Sequence, residues 1–282
     1  MSRIVFVNGS YVPEEEAKVS VLDRAFLFGD AVYEVTAVLD GQLLDFEAHL
    51  ARLDRSLAEI ALTPPFSHKQ LWSIHTELIA RNEVNEGIVY LEITRGVADR
   101  DFAYPENTAP TVVAFTQSRP LIANPYAETG VKVITIPEIR WRRRDIKSTA
   151  MLAQAMGKQA AKLKGAYEAW MVEDGYITEG TSSTAFILDQ DGVVRTQPLG
   201  HHILPGVTRR AVLRLAESQG VKLEERPFSV AEALVAREAF MSAASAFVLP
   251  IIEIDGHKIG DGRPGPVARA FRALYIDEAR KG

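Results

Sequence analysis

The order of predicted strands and helices constrains the fold of this chain more than any other feature. Apolar, β-branched runs typical of strands cluster together, and the helical segments between them do not alternate regularly with single strands. A doubly wound parallel sheet requires regular alternation, whereas clustered strands with intervening helices are typical of α+β proteins. The sequence therefore predicts an α+β fold, and its 282 residues, 47% of them hydrophobic, suffice for one large or two smaller domains.

Two helices and a set of strands are predicted in the first part of the chain. The pair Asn8-Gly9, which follows an apolar run, is typical of a tight β-hairpin. Further strands are predicted at 31–39, 88–94 and 111–115. Apolar side chains at steps of four and three residues predict two amphipathic helices. The first helical face comprises Phe46, Leu50, Leu53, Leu57 and Ile60, and the second comprises Leu71, Ile74, Leu78 and Ile79.

A proline-punctuated segment predicts a connection between two domains. The small domain is predicted at 1–119, the linker at 120–126 and the large domain at 127–282. The strands predicted in the large domain are 131–136, 169–172, 185–188, 239–242 and 248–254. Its predicted helices follow residue 150, begin near residue 207 and span 267–279.

Composition excludes several classes of function. The chain has no cysteine, so it has no disulfide, no thiolate metal site and no cysteine nucleophile. A net charge of −5 argues against a nucleic-acid surface, which needs a basic face. No apolar run approaches the roughly 18 residues of a membrane span, and the N-terminus lacks the apolar content of a signal peptide. These observations predict a cytoplasmic protein without a nucleic-acid or membrane partner.

Several common site motifs are also missing. The chain has no glycine-rich dinucleotide motif after a strand, no nucleotide-binding P-loop and no Gly-x-Ser-x-Gly nucleophile motif. His201 and His202 are adjacent, so their side chains point in different directions, and the sequence offers no third ligand. No metal site is predicted.

Lys147 has the most unusual setting of any charged residue. It lies between Ile146 and two hydroxyl residues, after an arginine-rich segment and before an alanine-rich helical stretch. At such a junction a lysine can face a cleft, and a partly desolvated lysine beside other cations loses proton affinity. Its neutral amine can then form a Schiff base. The alternative is an ordinary surface lysine that follows a basic loop.

Three further features suit an aldehyde cofactor that carries a phosphate. Glu179 precedes a Gly-Thr-Ser-Ser turn and can pair with a protonated pyridine nitrogen, or it is an acidic turn residue. Val207 and Thr208 lie at a predicted helix start. Their backbone N–H groups either form an anion site or are satisfied by ordinary helix capping. Arg52, on the polar side of the first helix, offers a bidentate phosphate contact or is solvated.

Six motifs in this order resemble the fold-type IV family of pyridoxal-phosphate enzymes. The family includes D-amino acid transaminases, branched-chain aminotransferases, (R)-selective amine transaminases and aminodeoxychorismate lyases. The motifs are Phe28-Gly-Asp-Ala-Val-Tyr-Glu, His49-Leu-Ala-Arg-Leu, Asp145-Ile-Lys-Ser, Thr178-Glu-Gly-Thr-Ser-Ser, Pro205-Gly-Val-Thr-Arg and Phe240-Met-Ser-Ala-Ala. The resemblance implies two domains, a barrel-like sheet in the larger one, and pyridoxal 5′-phosphate as the cofactor.

The resemblance also implies a role for each matching residue. Lys147 would hold the cofactor as a Schiff base and move the proton between substrate Cα and cofactor C4′. Glu179 would pair with the pyridine nitrogen, Arg140 would support the network near the ring, and Leu204 would pack on a ring face. The phosphate would be held by Arg52, Val207, Thr208, Ala243 and Ala244. Relatives often have threonine where Ala244 stands, so weaker cofactor retention is expected.

The loop 95–105 distinguishes the branches of the family. D-amino acid transaminases typically have an arginine and, two residues later, a histidine here, which grip the substrate α-carboxylate together with a tyrosine. The matching residues are Arg100 and Phe102, with Tyr33 as the tyrosine, so phenylalanine replaces the histidine. A guanidinium pairs strongly with a carboxylate, which favours D-amino acids. A local ion pair between Arg100 and a neighbouring aspartate is the alternative.

The reaction that follows is transamination of D-alanine and similar D-amino acids, with 2-oxoglutarate or pyruvate as acceptor. In relatives the loop reaches the active site of the neighbouring subunit, which implies a homodimer. A branched-chain L-amino acid aminotransferase is disfavoured by the arginine-bearing loop, whereas Phe102 leaves an (R)-selective amine transaminase open. An aminodeoxychorismate lyase would use the same lysine. A non-catalytic phosphate-binding relative is disfavoured by the presence of Lys147 and Glu179.

Overall fold

The computed structural model describes residues 2–281 and divides the chain into two compact units. The first unit extends to Pro120 and includes Ile146–Ala150, and the second comprises Leu121–Asp145 and continues from Met151. Both units combine helices with a sheet, which confirms the predicted α+β class. Within residues 2–281, no helix is both long and apolar enough to cross a membrane.

The first unit is a six-stranded antiparallel sheet with helices on one face. The strands follow the order β2-β1-β6-β5-β3-β4. Its strands are β1 (Ile4–Val7), β2 (Ser10–Pro13), β3 (Ala31–Leu39), β4 (Gln42–Leu43), β5 (Glu86–Thr94) and β6 (Val112–Ser118), and its helices are α1 (Arg24–Phe28), α2 (Phe46–Glu59) and α3 (His68–Arg81). The predicted hairpin after β1 and both amphipathic helices are confirmed.

The core of the first unit lies between the sheet and its two long helices. The apolar side chains of α2 and α3 pack against alternate residues of the central strands, as the three- and four-residue spacing predicts. Ser67 and Gln70 form a capping box that begins α3. The core includes Leu53, Leu57, Leu71, Leu78, Val89, Leu91 and Ile93. The remaining residues of β3 and β5 lie on the opposite face of the sheet, which carries Tyr33, Tyr90 and Glu92.

The second unit is built around a nine-stranded mixed sheet that curls into a half barrel. Eight strands follow the order β12-β11-β10-β13-β14-β7-β8-β9, and β15 pairs with β14. The strands are β7 (Val131–Pro137), β8 (Glu168–Glu173), β9 (Tyr176–Gly180), β10 (Thr184–Leu188), β11 (Val194–Thr196), β12 (Leu223–Glu225), β13 (Glu238–Ala243), β14 (Phe247–Ile254) and β15 (His257–Lys258). The helices are α4 (Pro125–Thr129), α5 (Leu152–Leu163), α6 (Val207–Ser218), α7 (Val230–Leu234) and α8 (Pro266–Ala279).

Candidate active site

The candidate residues fall into two sets, one in each unit. In the first unit, Lys147 is joined to β3: the Tyr33 N–H donates to the Lys147 carbonyl oxygen at 2.9 Å. Ser148 forms an isolated bridge with Val32, and Ile146 belongs to the core cluster. The side chain of Lys147 is half-buried, and its Nζ lies 4.1 Å from the centroid of the Tyr33 ring. Lys147 is therefore anchored by its neighbours, unlike a mobile surface lysine.

Arg52 is a buried ion-pair residue with only 8% of its surface exposed. Its Nε and Nη2 groups donate to the two oxygens of Glu34 at 2.8 and 2.7 Å. His49 Nδ1 lies 2.7 Å from the same carboxylate. Because Arg52 is buried, the interpretation of a solvated helix arginine is wrong. Glu34 fixes the orientation of its guanidinium.

Arg100 lies on an exposed loop and packs on aromatic rings. Its guanidinium carbon is 5.4 Å from the centroids of both Phe28 and Phe102, whose rings lie 5.5 Å apart. Within residues 2–281, Arg100 forms no ion pair with an acidic side chain, so the alternative of a local pair with a neighbouring aspartate is wrong. Tyr33, the other residue predicted to bind the substrate carboxylate, contacts Lys147 and stacks on Tyr90.

In the second unit, Glu179 lies at the end of β9 with only 4% of its surface exposed. Arg140 Nη1 donates to its Oε1 at 2.6 Å, and the Leu204 N–H donates to both carboxylate oxygens at 3.1 and 3.2 Å. Glu138 shares the same arginine, accepting from Nε, from Nη2 and from the backbone N–H of Arg140. Thr178 Oγ1 donates to Glu138 at 2.9 Å. Glu179 is therefore part of a buried hydrogen-bonded network.

The two carboxyl groups of this network differ in proton affinity. Burial alone would raise both pKa values. For Glu138, the three N–H groups of Arg140 outweigh burial and lower the pKa. For Glu179, burial prevails over the single arginine N–H, and the pKa remains raised. Arg140 therefore balances the negative charge of Glu179 only in part. The remaining charge would stabilise a second cation beside this carboxylate.

The start of α6 has the features of an anion site. No side chain caps its first turn in the described chain, so the N–H groups of Val207 and Thr208 are available to a ligand. Thr208 Oγ1 is buried, with 3% of the residue exposed, and has no hydrogen-bond partner among residues 2–281. A Cβ atom at Gly206 would lie 2.8 Å from Thr184 Oγ1, which explains the glycine before the helix. This set of donors is suited to an anion.

The turn after β13 brings Ala243 and Ala244 to a partly exposed position. The turn closes where the Ala246 N–H donates to the Ala243 carbonyl at 3.1 Å. Arg272 on α8 donates to the Ala246 carbonyl at 2.8 Å and so holds the turn. The neighbouring Ser242 Oγ is buried and, like Thr208 Oγ1, has no partner among the described residues.

Four polar residues that support the site were missed from the sequence. Glu34 and His49 belong to the quoted motifs, so a signal existed, but the spacing does not show that both contact Arg52. Glu138 precedes Arg140 by two residues, and nothing in its local sequence distinguishes it from an ordinary acidic loop residue. Glu168 accepts hydrogen bonds from Thr181, Ser182 and Ser183, so those hydroxyls order the turn after Glu179.

Comparison with known proteins gives one consistent result. Residues 31–254 match the family model described as amino-transferase class IV. A D-alanine aminotransferase from Bacillus licheniformis is 40% identical over 267 residues, covering 94% of this chain and 93% of its own. One from Staphylococcus aureus is 38% identical over 271 residues, with 95% of each chain covered. The branched-chain amino acid aminotransferase of Escherichia coli has a TM-score of 0.89 at 25% identity, covering 99% of this chain and 95% of its own.

The fold and the donor set define a fold-type IV enzyme that uses pyridoxal 5′-phosphate. The chain belongs to the class IV aminotransferase family. The residues of this structure fit the cofactor. Lys147 offers an amine, Glu179 offers a buried carboxylate that a ring cation would balance, and Thr208 offers an unpartnered hydroxyl at a helix start.

Proposed function

We propose that this chain transfers the amino group of D-amino acids such as D-alanine to a 2-oxo acid such as 2-oxoglutarate or pyruvate. The observation that carries the proposal is Arg100, which is packed on two aromatic rings and has no acidic partner within residues 2–281. An arginine in this state is suited to pair with a substrate carboxylate. The named relatives, D-alanine aminotransferases that align over nearly the full chain, support the same reaction.

Lys147 carries the proton transfer in this mechanism. Bound pyridoxal phosphate supplies an aldehyde that captures the substrate amine and a ring that accepts the electron pair released at Cα. Lys147 would hold the bound cofactor through Nζ, and its neutral amine would move the proton between the substrate Cα and C4′. The contact with the Tyr33 ring keeps this flexible side chain in one region.

Glu179 and its neighbours hold a proton at the ring nitrogen. A buried carboxylate beside that nitrogen favours its protonated, electron-withdrawing form. Arg140 and the Leu204 N–H fix the carboxylate of Glu179, and Glu138 in turn fixes Arg140. The side chain of Leu204 packs on a ring face in this proposal. Glu138 does not contact the substrate in this proposal. Its removal should still lower activity, because Arg140 would lose the partner that fixes its position beside Glu179.

The start of α6 supplies the phosphate site of the second unit, with the N–H groups of Val207 and Thr208 and the Thr208 hydroxyl as donors. Arg52 keeps the role of phosphate contact that the resemblance to the family implies. The Ala243-Ala244 turn contributes backbone N–H groups alone, because neither residue has a hydroxyl. This difference from relatives supports the expectation of weaker cofactor retention.

The substrate carboxylate is gripped by Arg100 and Tyr33, with Phe102 beside them. We assign these contacts to two copies of the chain, because Tyr33 contacts Lys147 whereas Arg100 packs on Phe28 and Phe102. A homodimer in which loop 95–105 serves the neighbouring site follows from this assignment. The proposal places the enzyme in the cytoplasm, which fractionation of producing cells tests.

A second candidate reaction is favoured by one specific residue. Phe102 stands where relatives that act on D-amino acids have histidine, and 77% of its surface is exposed. An apolar ring beside the carboxylate site would accept an aryl or alkyl group, which favours (R)-selective amine transamination. Transamination of branched-chain L-amino acids is a further possible outcome of the test, because the fold is also similar to that of a branched-chain amino acid aminotransferase.

The absorbance spectrum of the purified protein with pyridoxal phosphate tests both cofactor and substrate. We expect D-alanine, without acceptor, to bleach the cofactor band that L-leucine and an (R)-arylalkylamine leave in place. Lys147→Ala should abolish both the band and transamination, because no other amine replaces Nζ. Lys164→Ala, which removes an exposed lysine at the end of α5, is the matched control and should behave as wild type. Bleaching by L-leucine or by the amine alone would reassign the reaction.

A further inference from the structure

Glu92 lies beside Tyr33 on the sheet face that is turned away from the helices of the first unit. In the antiparallel register of β3 and β5, Tyr33 pairs directly with Glu92. Directly paired residues project to the same face with Cβ atoms about 5 Å apart. The Tyr33 ring also lies 4.1 Å from Lys147 Nζ, so Glu92 and the reactive amine are both neighbours of the same tyrosine.

Tyr90 completes this surface, which we call the Glu92 surface (Tyr33, Tyr90 and Glu92). Its hydroxyl donates to Glu92 Oε2 at 2.8 Å, and its ring stacks on Tyr33 with centroids 5.5 Å apart. All three side chains are half-buried, so the surface is sheltered yet accessible to a small molecule. The hydrogen bond fixes the direction of the Glu92 carboxylate.

Glu92 is a carboxylate without a cationic partner in the described part of the chain. Within residues 2–281, none of its contacts is an ion pair with lysine, arginine or histidine. Burial raises the pKa of the Glu92 carboxyl, and the negative charge of Asp23 adds to that effect, although the Tyr90 hydroxyl opposes it. Partly buried carboxylates are ordinarily paired, so an unpaired one beside Tyr33 is a candidate for a functional role.

We propose that Glu92 selects substrates by the charge of their side chain, accepting neutral or cationic groups and disfavouring acidic ones. The inference rests on the proposed function and deepens it. A second carboxylate on the substrate, as in 2-oxoglutarate or D-glutamate, meets a like charge that it cannot escape in a sheltered site. Pyruvate and D-alanine carry only a methyl group at that position. Of the two acceptors in the proposed function, pyruvate is therefore preferred over 2-oxoglutarate.

The test uses the acceptor half-reaction at pH 8, where a carboxyl group is ionised. Protein reconstituted with pyridoxamine phosphate is mixed with pyruvate or with 2-oxoglutarate, and the return of the pyridoxal band gives kcat/KM for each. Wild type should prefer pyruvate. In Glu92→Gln the preference for pyruvate should fall about tenfold or more, since one like-charge contact in a shielded site is removed.

Two control variants separate charge from structure. Glu86→Gln makes the same substitution on the same face of β5, about 20 Å away, and should leave the preference unchanged. Tyr90→Phe removes the hydrogen bond but keeps the charge, so the preference for pyruvate should persist. If Glu92→Gln folds and binds cofactor but discriminates as wild type does, the proposal is overturned. Loss of discrimination in Tyr90→Phe, but not in Glu92→Gln, would overturn it equally.

A binding measurement tests the role of Glu92 independently of the proposed D-amino acid transamination. Glutarate and butyrate, which cannot react, are titrated into the pyridoxal form while the cofactor absorbance is followed. Glu92→Gln should tighten glutarate binding about tenfold and leave butyrate nearly unchanged. Neither this experiment nor the acceptor half-reaction requires a D-amino acid. Failure of D-alanine to bleach wild type would therefore overturn the donor assignment alone, whereas an unchanged glutarate affinity would overturn the role of Glu92 alone.

Discussion

At the scale of single residues, the buried pair of Glu34 and Arg52 couples the stability of the protein to pH. Burial alone would raise the pKa of Glu34, but Arg52 and His49 outweigh it and hold the pKa well below its ordinary value. A carboxyl group with a lowered pKa contributes stability above its unfolded-state pKa, and that contribution is lost as the pH falls towards its folded-state value. The free energy of unfolding should therefore decrease on acidification below about pH 4.3.

Replacement of Glu34 tests this coupling. Glu34→Gln leaves the buried Arg52 without its anionic partner and should cost about 3 kcal/mol of unfolding free energy at pH 7. The difference from wild type should shrink as the pH falls below about 4.3, because Glu34 of the unfolded wild-type chain then takes up a proton while the folded-state carboxylate stays ionised. Denaturant unfolding of the cofactor-free protein across this range measures both effects. Glu77→Gln, which breaks an exposed pair with Arg81, is the control and should change little.

The sequence indicates the candidate charged residues of the site, but not the residues that pair with them. Lys147, Glu179 and Arg52 could be named because their local settings are unusual or match family motifs. Arg52 is buried because Glu34 on β3 faces α2 and pairs with it. This contact depends on how β3 packs against the helix, which the local sequence does not show. Glu138 shows the same limit, since its role depends on the side-chain direction of Arg140, which local spacing does not determine.

At the scale of elements, the short helix α1 organises the loop that carries Arg100. Buried Arg24 donates from Nε to Asp30 at 2.8 Å and from Nη1 to the Asp101 and Ala103 carbonyl oxygens at 2.6 and 3.3 Å. Its guanidinium also lies 4.6 Å from the centroid of Phe28, the ring on which Arg100 packs. One side chain thus connects the helix to both loop carbonyls.

Arg24→Lys should loosen this loop while preserving the charge, because an ammonium group cannot donate in the three directions of a guanidinium fork. We expect faster amide hydrogen exchange over 98–105 and a KM for D-alanine about tenfold higher, with kcat nearly unchanged. Arg81→Lys changes an exposed arginine that also lies over a tyrosine ring, Tyr11, and serves as the control. Unchanged exchange in Arg24→Lys would show that other contacts hold the loop.

Long elements were predictable and short ones were not. The apolar spacing of α2 and α3 determined both helices, because each buries one face over nearly four turns. The five-residue helices α1, α4 and α7 are too short to show a period, so α1 was missed although Asp23 caps its first turn. The pairing of Ile146–Thr149 with β3 was also beyond sequence, since such long-range contacts leave no local pattern.

At the scale of the whole molecule, the first unit displays apolar surface around the proposed substrate loop. Phe26 is 78% exposed, Val21 is 73% exposed and Phe102 is 77% exposed. These side chains belong to α1, to the residues before it and to loop 95–105, which are linked by the contacts of Arg24. Exposed apolar side chains of this kind typically mark an interaction surface, and in the proposed homodimer a second copy of the chain would cover them.

Mixing two inactive or impaired chains tests whether loop 95–105 serves the neighbouring site. Lys147→Ala removes the reactive amine, and Arg100→Ala removes the carboxylate contact while leaving the amine. If the loop acts in trans, a mixed dimer contains one site with both Lys147 and Arg100 and one site with neither. Co-expression should then restore D-alanine turnover to about a quarter of wild type, because half of the dimers are mixed and each has one intact site. If the loop acts within its own chain, no mixed dimer gains an intact site, and turnover would stay at the level of the separate variants.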